Sequence, residues 1–109
     1  IIQAELKVLK RDNTHEDFDR EKLRRGIEKA CWKRNIRPEQ IDTLLSKIVM
    51  EIETEYDREI SSVEIGTKAM AALRQLDKVA YVRFASVYRD FKDIEEFISE
   101  IRTIGAKKR

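Results

Sequence analysis

The sequence predicts an α+β domain, mainly α: a small helical bundle of four to five helices capped by a two- to three-stranded antiparallel sheet. Three observations carry this reading. Residues 6–11 alternate apolar and charged side chains and run into the turn pair Asp12-Asn13, which is the pattern of a hairpin. Behind the hairpin, apolar residues recur at helical spacing in successive segments, most of them opened by a recognisable helix-start signal. No repeat, low-complexity tract or Gly/Pro-rich linker divides the chain, so residues 1–109 are read as one domain: hairpin 6–18, helical bundle 19–92, C-terminal amphipathic helix 93–104.

The hairpin comes first. A three-residue loop, Arg11-Asp12-Asn13, with Asn13 left-handed, puts Leu6, Val8 and Lys10 on one face with Thr14, Glu16 and Phe18. That face is apolar at its base and polar at its tip. Leu9, Arg11, His15 and Asp17 look the other way. Asp19 is a good N-cap for a helix carrying Leu23, Ile27, Ala30 and Cys31, broken near Asn35 to Arg37. Pro38 suits the first turn of the next helix, whose stripe is Ile41, Leu44, Leu45, Ile48, Val49 and Ile52. Residues 56–60 connect onward, and Arg58-Glu59-Ile60 adds a short third strand. Ser61-Ser62-Val63-Glu64 is a capping box for a helix carrying Val63, Ile65, Met70, Leu73 and Leu76. Residues 78–91 are apolar nearly all round, with a polar strip at Arg83, Ser86 and Asp90; such a helix is central or is covered by a partner. Asp93-Ile94-Glu95-Glu96 is a further capping box, opening a helix with Ile94, Phe97, Ile98 and Ile101 on one face.

Composition narrows the function. Twenty-three basic residues against twenty-one acidic ones give a net charge of +2, so the domain as a whole has no electrostatic case for nucleic acid, and any anion site is local. No apolar run approaches the ~20 residues that span a bilayer and no signal peptide is visible, which points to the cytoplasm and away from membranes. Opening on Ile1 rather than Met points to a fragment or a processed chain. Cys31, the single cysteine, reads as a buried small hydrophobe, and there is neither an internal disulfide nor a Cys-rich zinc site. His15, the single histidine, sits on a hairpin arm with no obvious partner, so no catalytic constellation stands out and no enzyme is expected.

What remains is the charge around the hairpin. Glycines at 26, 66 and 105 form no phosphate loop, so an anion would be held by side chains and a helix N-terminus. Lys22 lies in the first turn of the Asp19-capped helix, an unfavourable place for a cation without an anion beside it. Lys10 and Arg11 lead to the same end. Glu16 either accepts from a sugar hydroxyl or pairs with Lys10, and on spacing alone the ion pair with a solvated Lys22 is the plainer reading.

Two segments carry a resemblance. VLKRDNTHEDFDREKLRRGIEKAC, residues 8–31, resembles the opening of the ATP-cone domain, roughly V-x-K-R-D-G, then F, then K-[LI] and a helix. LDKVAYVRFASVYRDFKDIEEF, residues 76–97, is more specific and looks like the end of the cone in the NrdR family, repressors of ribonucleotide reductase genes. The resemblance implies that Val8 packs on an adenine, that Lys10, Arg11 and Lys22 meet the phosphates of ATP or dATP, and that Glu16 and Asp19 lie near sugar or base. Leu23 lines the pocket, with Ser61 or Ser62 approaching from the third helix. It also implies a homo-oligomer set by nucleotide. Tyr81 and Tyr88, seven residues apart on one face of the aromatic helix, and Phe97, on the apolar face of the last helix, are candidates for the protomer contact or switch. The family's turn glycine is Asn13 here. Its N-terminal zinc ribbon, which reads DNA, is absent from this chain, so zinc and DNA contact are expected only through that ribbon. The alternatives are the regulatory cone of a ribonucleotide reductase, or a ligand-free helical interaction or DNA-binding module.

Overall fold

A computed structural model describes residues 6–88 together with Ile98, Ser99 and Arg102, and of Tyr88 only the backbone. The chain runs β1 (Lys7–Leu9), β2 (His15–Asp17), α1 (Arg20–Ala30), α2 (Pro38–Glu55), β3 (Glu59–Ser61), α3 (Ser62–Leu76) and α4 (Lys78–Tyr88).

The hairpin has the register that its alternation demands. Val8 faces Glu16, and the loop Arg11-Asp12-Asn13 is closed by the Lys10 N–H donating to the Thr14 carbonyl at 2.8 Å. Asn13 takes φ 70°, which its short polar side chain tolerates in place of glycine. The Asp12 carboxylate accepts from the Thr14 N–H at 3.0 Å and fixes the turn. The third strand is present, but it pairs parallel to β1, so the sheet is mixed rather than wholly antiparallel, with strand order β2-β1-β3. A parallel neighbour needs a long crossover, and α1 and α2 supply it. Val8 and Ile60 point into the core from adjacent strands. Lys7 pairs with Asp17 on the outward face, and His15, expected to lack a partner, holds Glu59 there at 2.7 Å.

Under the sheet lie the helices. All six stripe residues of α2 are buried, as are Leu23, Ile27 and Ala30 of α1. Pro38 starts α2, and the Gln40 side chain accepts from the Arg37 N–H at 2.9 Å. Two expectations fail. First, α1 stops at Ala30, well before Asn35, because Lys33 goes left-handed at φ 59° and Trp32 turns out to solvent. Arg83 of α4 reaches over to this end and donates to the Trp32 carbonyl at 2.6 Å and the Ala30 carbonyl at 3.3 Å, where a cation meets the negative end of the α1 dipole. Second, Val63 is exposed while the small residues Gly66 and Ala69 are buried. Small side chains on α3 let its neighbour approach closely, and α4 packs there. Cys31 is buried, and that burial pushes its thiol up, as expected of an inert core residue.

On α4, Ala80, Tyr81, Phe84 and Ala85 face α1 and α3. Val79 and Val87 face out, at 39% and 79% exposure, so among the described residues the helix is covered on one side only. Ile98, Ser99 and Arg102 are helical; the remainder of the segment expected over 93–104, Phe97 included, lies outside the described residues, as do residues 89–92.

Asp77 joins α3 to α4 and caps the latter. Its carboxylate accepts from the Ala80 N–H at 2.9 Å and from Arg34 Nε at 3.0 Å. Burial pushes this carboxyl up, but the Ala80 N–H and the Arg34 guanidinium outweigh it and hold the group below the ordinary aspartate value. A carboxyl depressed in the folded state stabilises fully above its unfolded value, and that stabilisation is lost as pH falls through the depressed value. Asp77→Ala is expected to destabilise by about 1–3 kcal/mol, from the lost cap and the stranded guanidinium. Asp77→Asn, which keeps the cap acceptor, is expected to lose less at neutral pH and to flatten the acid limb of a stability–pH curve measured by urea unfolding.

Candidate functional site

The polar tip of the hairpin and the start of α1 meet at one end of the bundle, and α3 closes the third side. Between them lies a cleft of ≈ 110 Å³ lined by Val8, Lys10, Glu16, Phe18, Asp19, Lys22, Leu23, Ser62 and Ile65. Seven residues singled out from sequence are therefore brought together by the hairpin strands and their loop, the β2–α1 junction, α1 and α3. The floor is apolar, because Val8 and Leu23 are core residues whose upper surfaces reach the cleft. The wall is charged. Glu16 stands between two ammonium groups, with Lys22 Nζ donating to its Oε2 at 3.0 Å and Lys10 Nζ 3.8 Å from its Oε1. The Lys22 hydrogen bond, helped by the Lys10 charge, holds the Glu16 carboxyl below the usual glutamate value against burial and the like charge of Asp19.

Lys22 thus has its anion, and that anion is Glu16. The helix N-terminus contributes less than its position suggested. Asp19 Oδ1 already accepts from the Glu21 N–H at 3.0 Å and the Lys22 N–H at 3.3 Å, so these first-turn donors are committed to the cap.

Arg11 does not line the cleft. It lines an adjoining groove of ≈ 460 Å³ with Lys22, Arg25, Gly26, Lys29, Ser62 and Val87. Lys22 and Ser62 border both spaces. Ser61 does not reach either: its hydroxyl caps α3 by accepting from the Glu64 N–H at 3.1 Å. Of the switch candidates, Tyr81 is buried under the Arg74 guanidinium, 5.9 Å from its ring centre, and lines neither space. Tyr88 closes α4, and its side chain, like Phe97, lies outside what is described.

Sequence reasoning missed Phe18 and Ile65 as cleft walls and Arg25 and Lys29 as groove walls. The latter two were readable in principle, since positions 22, 25 and 29 share one helix face. A roomier groove of ≈ 590 Å³ between α2 and α3, lined by Lys47, Glu51, Lys68 and Gln75 among others, contains none of the expected residues. Its Lys68 is bonded to Glu55 at 2.7 Å and lies 3.8 Å from Glu51. Among the described residues no cluster of His, Cys, Asp and Glu is arranged to hold a metal ion, and no helix is long and apolar enough to cross a membrane.

Residues 6–94 match the family described as ATP cone domain. The transcriptional repressor NrdR of Opitutus terrae is 43% identical over 109 residues, which are all of this chain and 72% of that protein. The repressor of the same name from Acetivibrio thermocellus is 48% identical over 101 residues, 93% of this chain and 67% of its own. That from Listeria welshimeri is 46% identical over 109 residues and 71% of its length. These relatives are named as repressors and not as enzymes, which leaves the reductase-cone alternative without support. The chain belongs to the NrdR transcriptional repressor family and carries its ATP-cone domain.

Proposed function

We propose that the cleft beneath the hairpin binds an adenine nucleotide, ATP or dATP, as an allosteric ligand that controls the oligomerisation of a repressor of ribonucleotide reductase genes. In this reading Val8 and Leu23 pack on the base, while Lys10, Lys22 and, across the shared border, Arg11 meet the phosphates. Asp19 and Ser62 flank the sugar. DNA is read by a domain outside this chain, in the cytoplasm, and the ligand is bound without hydrolysis.

The observation that carries the proposal is the convergence of two lysines on one carboxylate above an apolar floor. A second supports the link to assembly. Val87, at the end of α4, lines the groove that shares Lys22 and Ser62 with the cleft, and the same helix exposes Val79 and Val87 to solvent. A ligand touching Lys22 therefore lies beside the helix whose uncovered face a second protomer would bury. Nucleotide shifts such an equilibrium only if it binds one assembly more tightly than another.

Two measurements test the two halves. Calorimetric titration with ATP and dATP is expected to show saturable binding of both. Sedimentation velocity at several protein concentrations is expected to show self-association whose extent differs between ligand-free, ATP and dATP samples. A monomer under all three conditions removes the allosteric half for this chain, and association indifferent to nucleotide leaves an interface without a switch.

A further inference from the structure

Residues 20–34, which are α1 and the turn after it, carry seven basic side chains against two acidic ones, in a chain whose whole net charge is +2. Four of the seven are engaged. Arg20 donates to the Ser46 hydroxyl at 3.3 Å, Lys22 bonds Glu16, Arg24 bonds Asp42 at 2.6 Å and Arg34 bonds Asp77 at 3.0 Å. Arg25, Lys29 and Lys33 are exposed and form no ion pair with any described residue. Arg25 and Lys29 share a face of α1, about 6 Å apart along its axis, close to two phosphate steps of one DNA strand at ~3.4 Å each. Trp32 stands between Lys29 and Lys33 and is 66% exposed. Its backbone is held firmly: its N–H donates to the Lys29 carbonyl at 3.3 Å and its carbonyl accepts from Arg83 at 2.6 Å. A bare aromatic ring is therefore presented from a fixed position amid unpaired cations.

We infer that Arg25, Lys29 and Lys33, with Trp32, form a contact surface for the sugar–phosphate backbone of duplex DNA, engaged without regard to sequence. The cations meet phosphates, and the indole covers the apolar edge of the sugars between them. None of the four residues lines the cleft. The inference rests on the reading of the protein as a DNA-binding repressor and does not need the nucleotide reading. To the domain that reads DNA it adds a second, sequence-blind contact on the cone itself. Three phosphate contacts are weak alone. They count in a repressor whose reading domain holds the cone near the duplex, at an effective concentration on the order of millimolar.

The test measures the anisotropy of a short labelled duplex of arbitrary sequence titrated with this chain over a range of salt. The parent is expected to bind at low salt. Three contacts set a slope of about −2.7 in log K against log salt, which is about a fortyfold loss between about 50 and about 200 mM. Lys29→Ala and Lys33→Ala should each reduce the slope by about 1, equally for duplexes of unrelated sequence. Lys47→Ala, an exposed change on α2, should leave it at the parental value. Trp32 is the single tryptophan, so its emission should change on adding duplex, and Trp32→Ala should weaken binding severalfold at an unchanged slope. Parental slopes in both lysine variants, or an equal reduction in Lys47→Ala, would mean general charge attraction and overturn the inference. Complete displacement of the duplex by inorganic tripolyphosphate at equal phosphate concentration would mark a small-anion site and overturn it too. So would a parent that binds no duplex at low salt; the separate titration with ATP would still decide the nucleotide reading.

Discussion

Lys22→Ala is expected to weaken ATP binding at least about tenfold, a loss of about 1.4 kcal/mol. Lys22 borders both the cleft and the basic groove, so a single truncation removes a cation from each. The variant should fold, because the Lys22 side chain is half-exposed and bonds Glu16, while the backbone N–H that Asp19 caps is kept. Its stability should stay within about 0.5 kcal/mol of the parent, the usual range for an exposed position. Lys22→Arg, which preserves the charge in a broader fork, should retain most of the affinity. Calorimetry alongside circular dichroism checks both statements. A folded variant with parental affinity removes Lys22 from the phosphate site.

The largest effect on stability is expected at Ile27. This residue is fully buried on α1, one turn beyond Leu23, where the helix packs against both α2 and α4. Ile27→Ala should cost about 2–5 kcal/mol, from lost transfer energy and the cavity that its rigid neighbours cannot close. Domains of this kind have about 5–15 kcal/mol to lose, so the variant should sit near its unfolding threshold. The midpoint of urea denaturation reads the loss directly. If the nucleotide reading holds, ATP at 100 times its Kd should restore about 2.7 kcal/mol by mass action. A drop of less than about 1 kcal/mol would mean that the neighbours collapse onto the vacated space.

Much of this was legible in the sequence where local signals agreed with burial. Alternation plus Asp12-Asn13 fixed the register of the hairpin, and with it the placing of Val8 and Glu16 on one face. The α2 stripe was legible because Pro38 marks its start and period 3.6 marks its face. The end of α1 was not, because Cys31-Trp32-Lys33 contains no glycine to announce the left-handed turn at Lys33. The direction of β3 was illegible for another reason: three residues carry no orientation signal, and its partner lies two helices earlier. Within the cleft, residue types were legible but partnerships were not. That Lys22 reaches Glu16 depends on the angle between hairpin and helix, which spacing does not encode.

The parallel pairing of β1 with β3 bears on when this protein becomes able to sense anything. During synthesis the hairpin and α1, which already carry Lys10, Glu16 and Lys22, emerge before α2, β3 and α3. Ser62 and Ile65, which wall the cleft, come only after α2 and β3. Docking β3 beside β1 closes a loop around two whole helices, an ordering step paid in chain entropy that non-local contacts recover late in folding. A half-made chain therefore bears the charges of the cleft without its walls. On the proposed nucleotide reading of the cleft, responsiveness arrives together with the finished fold, so an incomplete copy neither reports on nucleotide nor is held in a folded state by it.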